Sequence, residues 1–430
     1  MFQNSGLSLD QAPPISVIFR FFLAGSLWGI AAGIWLFFAG APALDPSTPD
    51  ALILTHMLTL GVMLSFMLGA LFQMLPVLAG VALHDPVKAA IRSQYPILFG
   101  TVFLLSAFAT ASSVLYAFAL LFLGIGLLPI AVRMLSRLYR LPSHSPSSRG
   151  MGFSLYNLLL LVIVGGWMLA LLGGWIGRGD LPALKQLHLD LGLLGWIALL
   201  IVSVSFQVIE MFYVTPPYPK RYARWMPALL TGTLTAELVA ALNAPALQPW
   251  IESFVAALLL SHALLTLRRL SMRQRPLTDA TVWFWRLGMG SLAAAMLLLL
   301  VGNLTALSTP LTTMLYVLYT TFALSVVLAM AYKIVPFLTW FHLNAQGYFT
   351  APMMHEVIHP KNAMRHLAIH STTIFVALVA AFDSRLWPLA GILLGASFSW
   401  IAVNIYRAWH LYLHVQKTGE RFDMGSFGGM

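Results

Sequence analysis

The chain has no cysteine among its 430 residues, which excludes disulfides, thiolate metal sites and iron–sulfur clusters. Charge is also scarce: 9% of residues are charged and 59% hydrophobic, with a mean hydropathy of +0.83. That leaves too little polar surface for a soluble globule of this length, so the chain reads as an integral membrane protein. Acids are the scarcer charge, 14 Asp and Glu against 24 Lys and Arg. Residues 1–16 lack a basic leader ahead of an apolar core, so no cleavable signal peptide is expected and the first helix serves as the insertion signal.

A membrane helix needs about 20 mostly apolar residues. Twelve segments qualify, near 17–41, 51–82, 94–114, 116–134, 152–176, 187–213, 226–243, 250–267, 281–304, 311–341, 365–382 and 387–413. With the N-terminus placed inside, nearly every base falls at a cytoplasmic end, and only Arg178, Lys185 and Arg385 fall outside. This is the positive-inside bias. It explains the net charge of +10 as topology and leaves no nucleic-acid partner. Both termini are expected in the cytoplasm, the membrane is of the bacterial cytoplasmic (inner) type, and lipid is the surrounding partner.

Two basic loops, RMLSRLYRLPSHSPSSRG and RRLSMRQRPLTDA, divide the helices into three groups of four, near 1–142, 143–276 and 277–430. The second helices of the groups share a plan. Aligning Gln73 with Gln207 and Lys333 puts Pro76, Glu210 and Pro336 in one column, and His56 falls on Asp190, two positions from His188, and on Tyr316. The expected fold is therefore all-α: twelve transmembrane helices in one domain of three quasi-equivalent four-helix groups. The long interruption from His342 to His366 is expected to be partly helical, starting near Pro352 and closing at Pro360.

The layout resembles subunit I of the heme-copper oxidase superfamily, and more closely its C-type oxidase and nitric-oxide-reductase branch with the related NnrS proteins. That branch carries a helix reading H-x-H-x-G-x-x-G-W. Here His188-x-Asp190-x-Gly192-x-x-Gly195-Trp196 keeps the pattern with Asp190 in place of the second histidine, and His56, Gly61, Gly69-Ala70 and Pro76 reproduce the remaining spacing on the second helix. The resemblance implies a scaffold holding a heme, b-type by this analogy, near the outer face. It does not extend to the copper centre: segment 226–243 has no histidine, and Tyr316 and Tyr319 stand where the family has histidines. Terminal oxidase activity is not expected, and enzymatic activity of any kind stays open.

His56 and His188 are the candidate iron ligands, with Tyr316, Tyr319 and Asp190 able to support them. The alternative is that both histidines are interfacial residues bonded to water or a loop carbonyl. Met63, Met67 and Met74 share the His56 face and could carry Cu(I), although methionine is also ordinary packing. Gly61, Gly69, Gly192 and Gly195 allow close helix contact or room for a flat cofactor. Gln73, Glu210 and Lys333 form an intramembrane polar set in which the two charges are expected to pair, either as a structural ion pair or as a proton site. His355 to His359 reads HEVIH, a match to the zinc-protease pattern that Pro360 interrupts. His366 with His370 and His410 with His414 repeat the four-residue spacing. Together with His355, His359 and the nearby His342 they suggest either a second, cytoplasmic metal site or a solvated rim of histidines.

The preferred expectation is a heme-binding inner-membrane protein for electron transfer or for handling a small gas such as nitric oxide, with an electron donor or partner subunit. A cofactor-free transporter using Glu210 and Lys333, and a structural subunit that has lost its ligands, are the alternatives.

Overall fold

A computed structural model describes residues 11–177, 179–275 and 279–421. The expectations for a leader and for Arg178 lie outside these residues, the former in part. Among the described residues the fold is all-helical, with no strand beyond an isolated bridge between Tyr348 and Arg421.

Twelve long helices follow one another among the described residues: α1 Ile15–Ala39, α2 Pro49–Ala79, α3 Pro86–Thr110, α4 Ser113–Tyr139, α5 Pro146–Leu172, α6 Leu181–Tyr213, α7 Lys220–Asn243, α8 Gln248–Ser271, α9 Ala280–Leu304, α10 Thr309–Ala345, α11 Pro360–Ala380 and α12 Trp387–Thr418. Eleven of them are long and apolar enough to cross a membrane. The exception is α7, which is 24 residues long but more polar.

Most starts lie outward of the hydropathy boundaries because helix chemistry, not apolarity, sets them. Pro49, Pro86, Pro146 and Pro360 occupy first positions, where a missing N–H costs nothing. Thr48, Ser145 and Asp180 accept hydrogen bonds from amides in the first turns they precede. Pro360 therefore opens α11 instead of closing the segment before it. That segment contains only a one-turn helix, Met354–Val357.

Burial separates α2, α6 and α10 from the rest. In their most apolar stretches 61%, 78% and 67% of residues are buried, against at most 44% in any other candidate span. Nine helices form a closed ring around these three, in the order α1, α12, α11, α9, α8, α7, α5, α4, α3 and back to α1. The neighbour pattern repeats: α1, α5 and α9 each pack on the helix next in sequence and on the one after that. The α1–α12 seam is tight because glycines meet there. A Cβ on Gly33 would sit 2.4 Å from the Gly395 backbone nitrogen, and one on Gly391 would sit 2.5 Å from that of Phe37.

Where α2, α6 and α10 converge with Trp285 of α9 there is an apolar cavity of about 60 Å³, with Met67, Met74, Val204 and Met330 in its wall. Met63, Met67 and Met74 are all buried, and no imidazole or carboxylate among the described residues lines the cavity. The thioethers thus pack the centre. Gly61 lies against Trp28, Gly69 against Phe21 and Gly195 against Asn157, so these three glycines permit close approach.

Candidate functional site

His56 and His188 are each the eighth residue of their helices, counted from Pro49 and Leu181. Each helix then loosens into a π-helical segment, Met57–Met63 in α2 and Asp190–Ala198 in α6, a feature frequent at functional sites. The segments are 7 and 9 residues long. Aligned from Gln73 and Gln207 the two histidines are out of step by two positions.

The two rings meet, with centroids 6.3 Å apart and planes 27° from parallel. His56 Nδ1 lies 2.8 Å from the Leu52 carbonyl, which fixes the ring and leaves Nε2 unused, while Phe108 of α3 covers one side at 5.1 Å between centroids. His188 rests on Gly165 of α5, where a Cβ would come within 3.0 Å of its Cε1. Its Nδ1 is buried without a hydrogen bond of normal geometry, although the Leu161 carbonyl lies near.

A metal–imidazole bond is about 2 Å, and a ring nitrogen lies about 1 Å from its ring centre, so two imidazoles sharing one ion from opposite sides hold their centres about 6 Å apart. The observed separation matches. Among the described residues no group of three or more His, Asp or Glu could hold a metal ion. Two donors suit an ion whose remaining ligands come from a macrocycle better than a bare ion needing three or four protein ligands.

Compared with known proteins, the chain matches no family model. The curated proteins contain no match to it either.

Asp190 sits two residues after His188, buried, and accepts from Gln186 Nε2, one turn before it, at 3.0 and 3.3 Å. It faces Glu237 of α7, which is 2% exposed with neither carboxyl oxygen in a hydrogen bond of normal geometry. Tyr319 donates its hydroxyl to the Leu193 carbonyl inside the π segment of α6, tying α10 to it. Tyr316 is 39% exposed and stands at the rim. Gln186, Glu237 and Phe108 escaped sequence reasoning. Glu237 is the single acid of the stretch that forms α7, and a lone carboxyl in such a segment was its available signal.

The polar set at the other end does not assemble. Lys333 reaches Asp279 at the start of α9 and lies over the Tyr213 ring, while Glu210 accepts the Tyr218 backbone N–H at 2.9 Å. The long lysine stem carries its ammonium out to the loop acid, so the expected Glu210–Lys333 pair does not form. Gln73 is buried with both amide atoms unpaired. Asp279 also caps α9, accepting from Thr281 N and Val282 N at 2.9 and 3.2 Å. Burial works to raise its carboxyl, but Lys333 and these hydrogen bonds outweigh burial and hold it below the usual carboxylate range.

The histidine pairs also part company. His355 and His359 are exposed; His359 lies beyond the one-turn helix and caps α11, and Glu356 bonds back to Met353 N. The zinc-protease geometry is therefore absent from this stretch. His410 and His414 are exposed on α12, and His342 lies near the Pro13 carbonyl. His366 and His370 are 0% and 2% exposed, so they form no solvated rim. His366 bonds Tyr332 and Ser397, each at 2.8 Å, and His370 bonds Ser325 at 2.9 Å. His262, another buried imidazole, is held by Ser205 and Tyr222 at 3.2 Å each.

Proposed function

We propose that this is a heme-binding protein of a bacterial-type cytoplasmic membrane, in which His56 and His188 would hold a single b-type heme. The observation that carries this reading is the 6.3 Å approach of two rings, of which His56 spends only Nδ1, on the Leu52 carbonyl, and His188 makes no side-chain hydrogen bond of normal geometry. Bound there, a heme would supply one-electron chemistry and affinity for small gases such as nitric oxide. This chain's residues would do the rest. The Leu52 carbonyl orients His56, Gly165 gives His188 its place, and Phe108 covers one side of the His56 ring.

The same reading takes α7 as a twelfth span and the helices as three groups of four. The recurring packing of α1, α5 and α9 on their successors supports this. The placing of the bases favours both termini in the cytoplasm. An electron donor or partner subunit belongs to the proposal. Copper at Met63, Met67 and Met74 is the weaker cofactor reading, because these side chains fill the centre.

The visible spectrum of the purified protein, oxidised and reduced, tests the proposal. A sharp reduced α-band that His56→Ala or His188→Ala abolishes is the expected result. A protein purified from heme-replete cells with no Soret band would overturn it. A second reading, cation or proton transport, is favoured by the facing carboxyls of Asp190 and Glu237 buried in the bundle; Glu210 and Lys333, each engaged elsewhere, lend it no support.

A further inference from the structure

The end of the bundle at which α1 starts and α4 ends carries a hollow of about 340 Å³ between the first turns of α3 and the last turns of α4. Lys88 and Arg92 of α3 and Arg133 and Arg137 of α4 line it, together with Ser136 and a single acid, Asp85. Asp85 is spent locally, since its Oδ2 binds Lys88 Nζ at 3.0 Å. Three guanidinium groups thus line one cavity against a single carboxylate, which binds Lys88 and lies within electrostatic reach of Arg92 alone of the three, an arrangement in cationic excess suited to bidentate binding of phosphate oxygens.

What lies beside the hollow decides the kind of phosphate. Below Arg92 on α3, Tyr95 and Phe99 are 49% and 51% exposed, and below Ser136 on α4, Val132, Leu128 and Ile125 are 50%, 36% and 52% exposed. Spacings of three, four and seven put each set in a row along its helix. A cationic hollow that opens onto two apolar rows running into the membrane fits a headgroup with its acyl chains and not a free anion.

We propose that this hollow binds one anionic phospholipid, its phosphate held by Arg92, Arg133 and Arg137 and its chains laid along the exposed rows of α3 and α4. The site is separate from the histidine pair, which lies toward the opposite end of α2, and the proposal does not depend on heme binding.

The test is native mass spectrometry of the full-length protein released from nanodiscs of dioleoylphosphatidylglycerol mixed with dioleoylphosphatidylcholine. One retained phosphatidylglycerol per chain is expected. The double variant Arg133→Gln/Arg137→Gln should weaken its binding by about twenty-five-fold, at about a factor of five for each base removed. Lys417→Gln, an exposed base on α12, should leave binding unchanged. Equal retention of the two lipids, or retention of phosphatidylglycerol by the double variant, would overturn the proposal. Displacement of the lipid by millimolar inorganic phosphate would assign the hollow to a free anion and overturn it equally. Both arginines are exposed, so the variants test the site without touching the packed interior.

Discussion

The histidines near the starts of α2 and α6 and those inside α8 and α11 differ in what their nitrogens do. His366 spends Nδ1 on Tyr332 and Nε2 on Ser397, and His262 spends its two on Tyr222 and Ser205. A neutral imidazole donates through one nitrogen and accepts through the other, so these rings have nothing left for a metal. His56 keeps Nε2 and His188 keeps Nδ1 free of normal hydrogen bonds, and the two rings face each other. Spacing in sequence is thus a poor guide to which imidazoles keep a nitrogen free. The regular pair His366 and His370 is interior glue, while two histidines 132 positions apart, 56 and 188, form the open pair.

The sharpest way to break this contrast is to measure heme per folded chain in both regions. His56→Ala with His188→Ala should remove nearly all bound heme by pyridine hemochrome assay, and His366→Ala should remove none from the chains that fold. Equal loss in both would erase the distinction. The next effect is on stability. His366→Ala leaves a tyrosine and a serine hydroxyl stranded; interhelical hydrogen bonds in membranes average about 0.6 kcal/mol, so with the lost packing the cost should be about 1–3 kcal/mol. Thermal unfolding in detergent reads this directly, and His370→Ala, with one bond at stake, should cost less.

A smaller effect concerns Lys333 and Asp279. The pair is half-exposed, between surface bridges worth about 0–1 kcal/mol and buried ones that cost about 3–5 to break. Lys333→Met should therefore cost about 1–2 kcal/mol and add to the effect of Glu210→Gln, since the two residues have different partners. Non-additivity would restore the pairing expected from the repeats. The Asp279 carboxyl is held below its ordinary value, so its contribution is complete above about pH 4 and is lost as pH falls through the depressed folded value. Melting curves across that range should show the acid-side loss reduced in Lys333→Met. Least of all, His359→Ala should cost about 0.5–1 kcal/mol through its lost cap, and His355→Ala should change neither melting temperature nor zinc content.

Hydropathy located the helices because lipid-facing segments must be apolar along their length, and the shared plan of residues 56–76, 187–211 and 316–337 picked out the three that became central. Helix ends were less legible, since Thr48, Ser145 and Asp180 extend helices past the apolar stretch by a different physics. His56 and His188 were legible as polar residues at matching depth. The Glu210–Lys333 pairing was not, because the alignment ranks depth but not direction, and Lys333 turns toward a loop acid supplied by another part of the chain. Nor could sequence show His366 and His370 as buried, for their hydroxyl partners come from α10 and α12.

The π-helical segments after the two histidines make the site a matter of length as much as composition. A π turn takes up about one more residue than an α turn, and an α-helix turns about 100° per residue, so winding Met57–Met63 as regular α-helix with no residue removed would swing the first part of α2, with His56, by on the order of 100° relative to its core-facing half. Every residue of the site would survive, yet the rings would no longer meet. A one-residue deletion between Met57 and Met63 should therefore keep the two halves of α2 in register far better than an equal deletion in the uninterrupted winding of α10, where nothing absorbs the rotation.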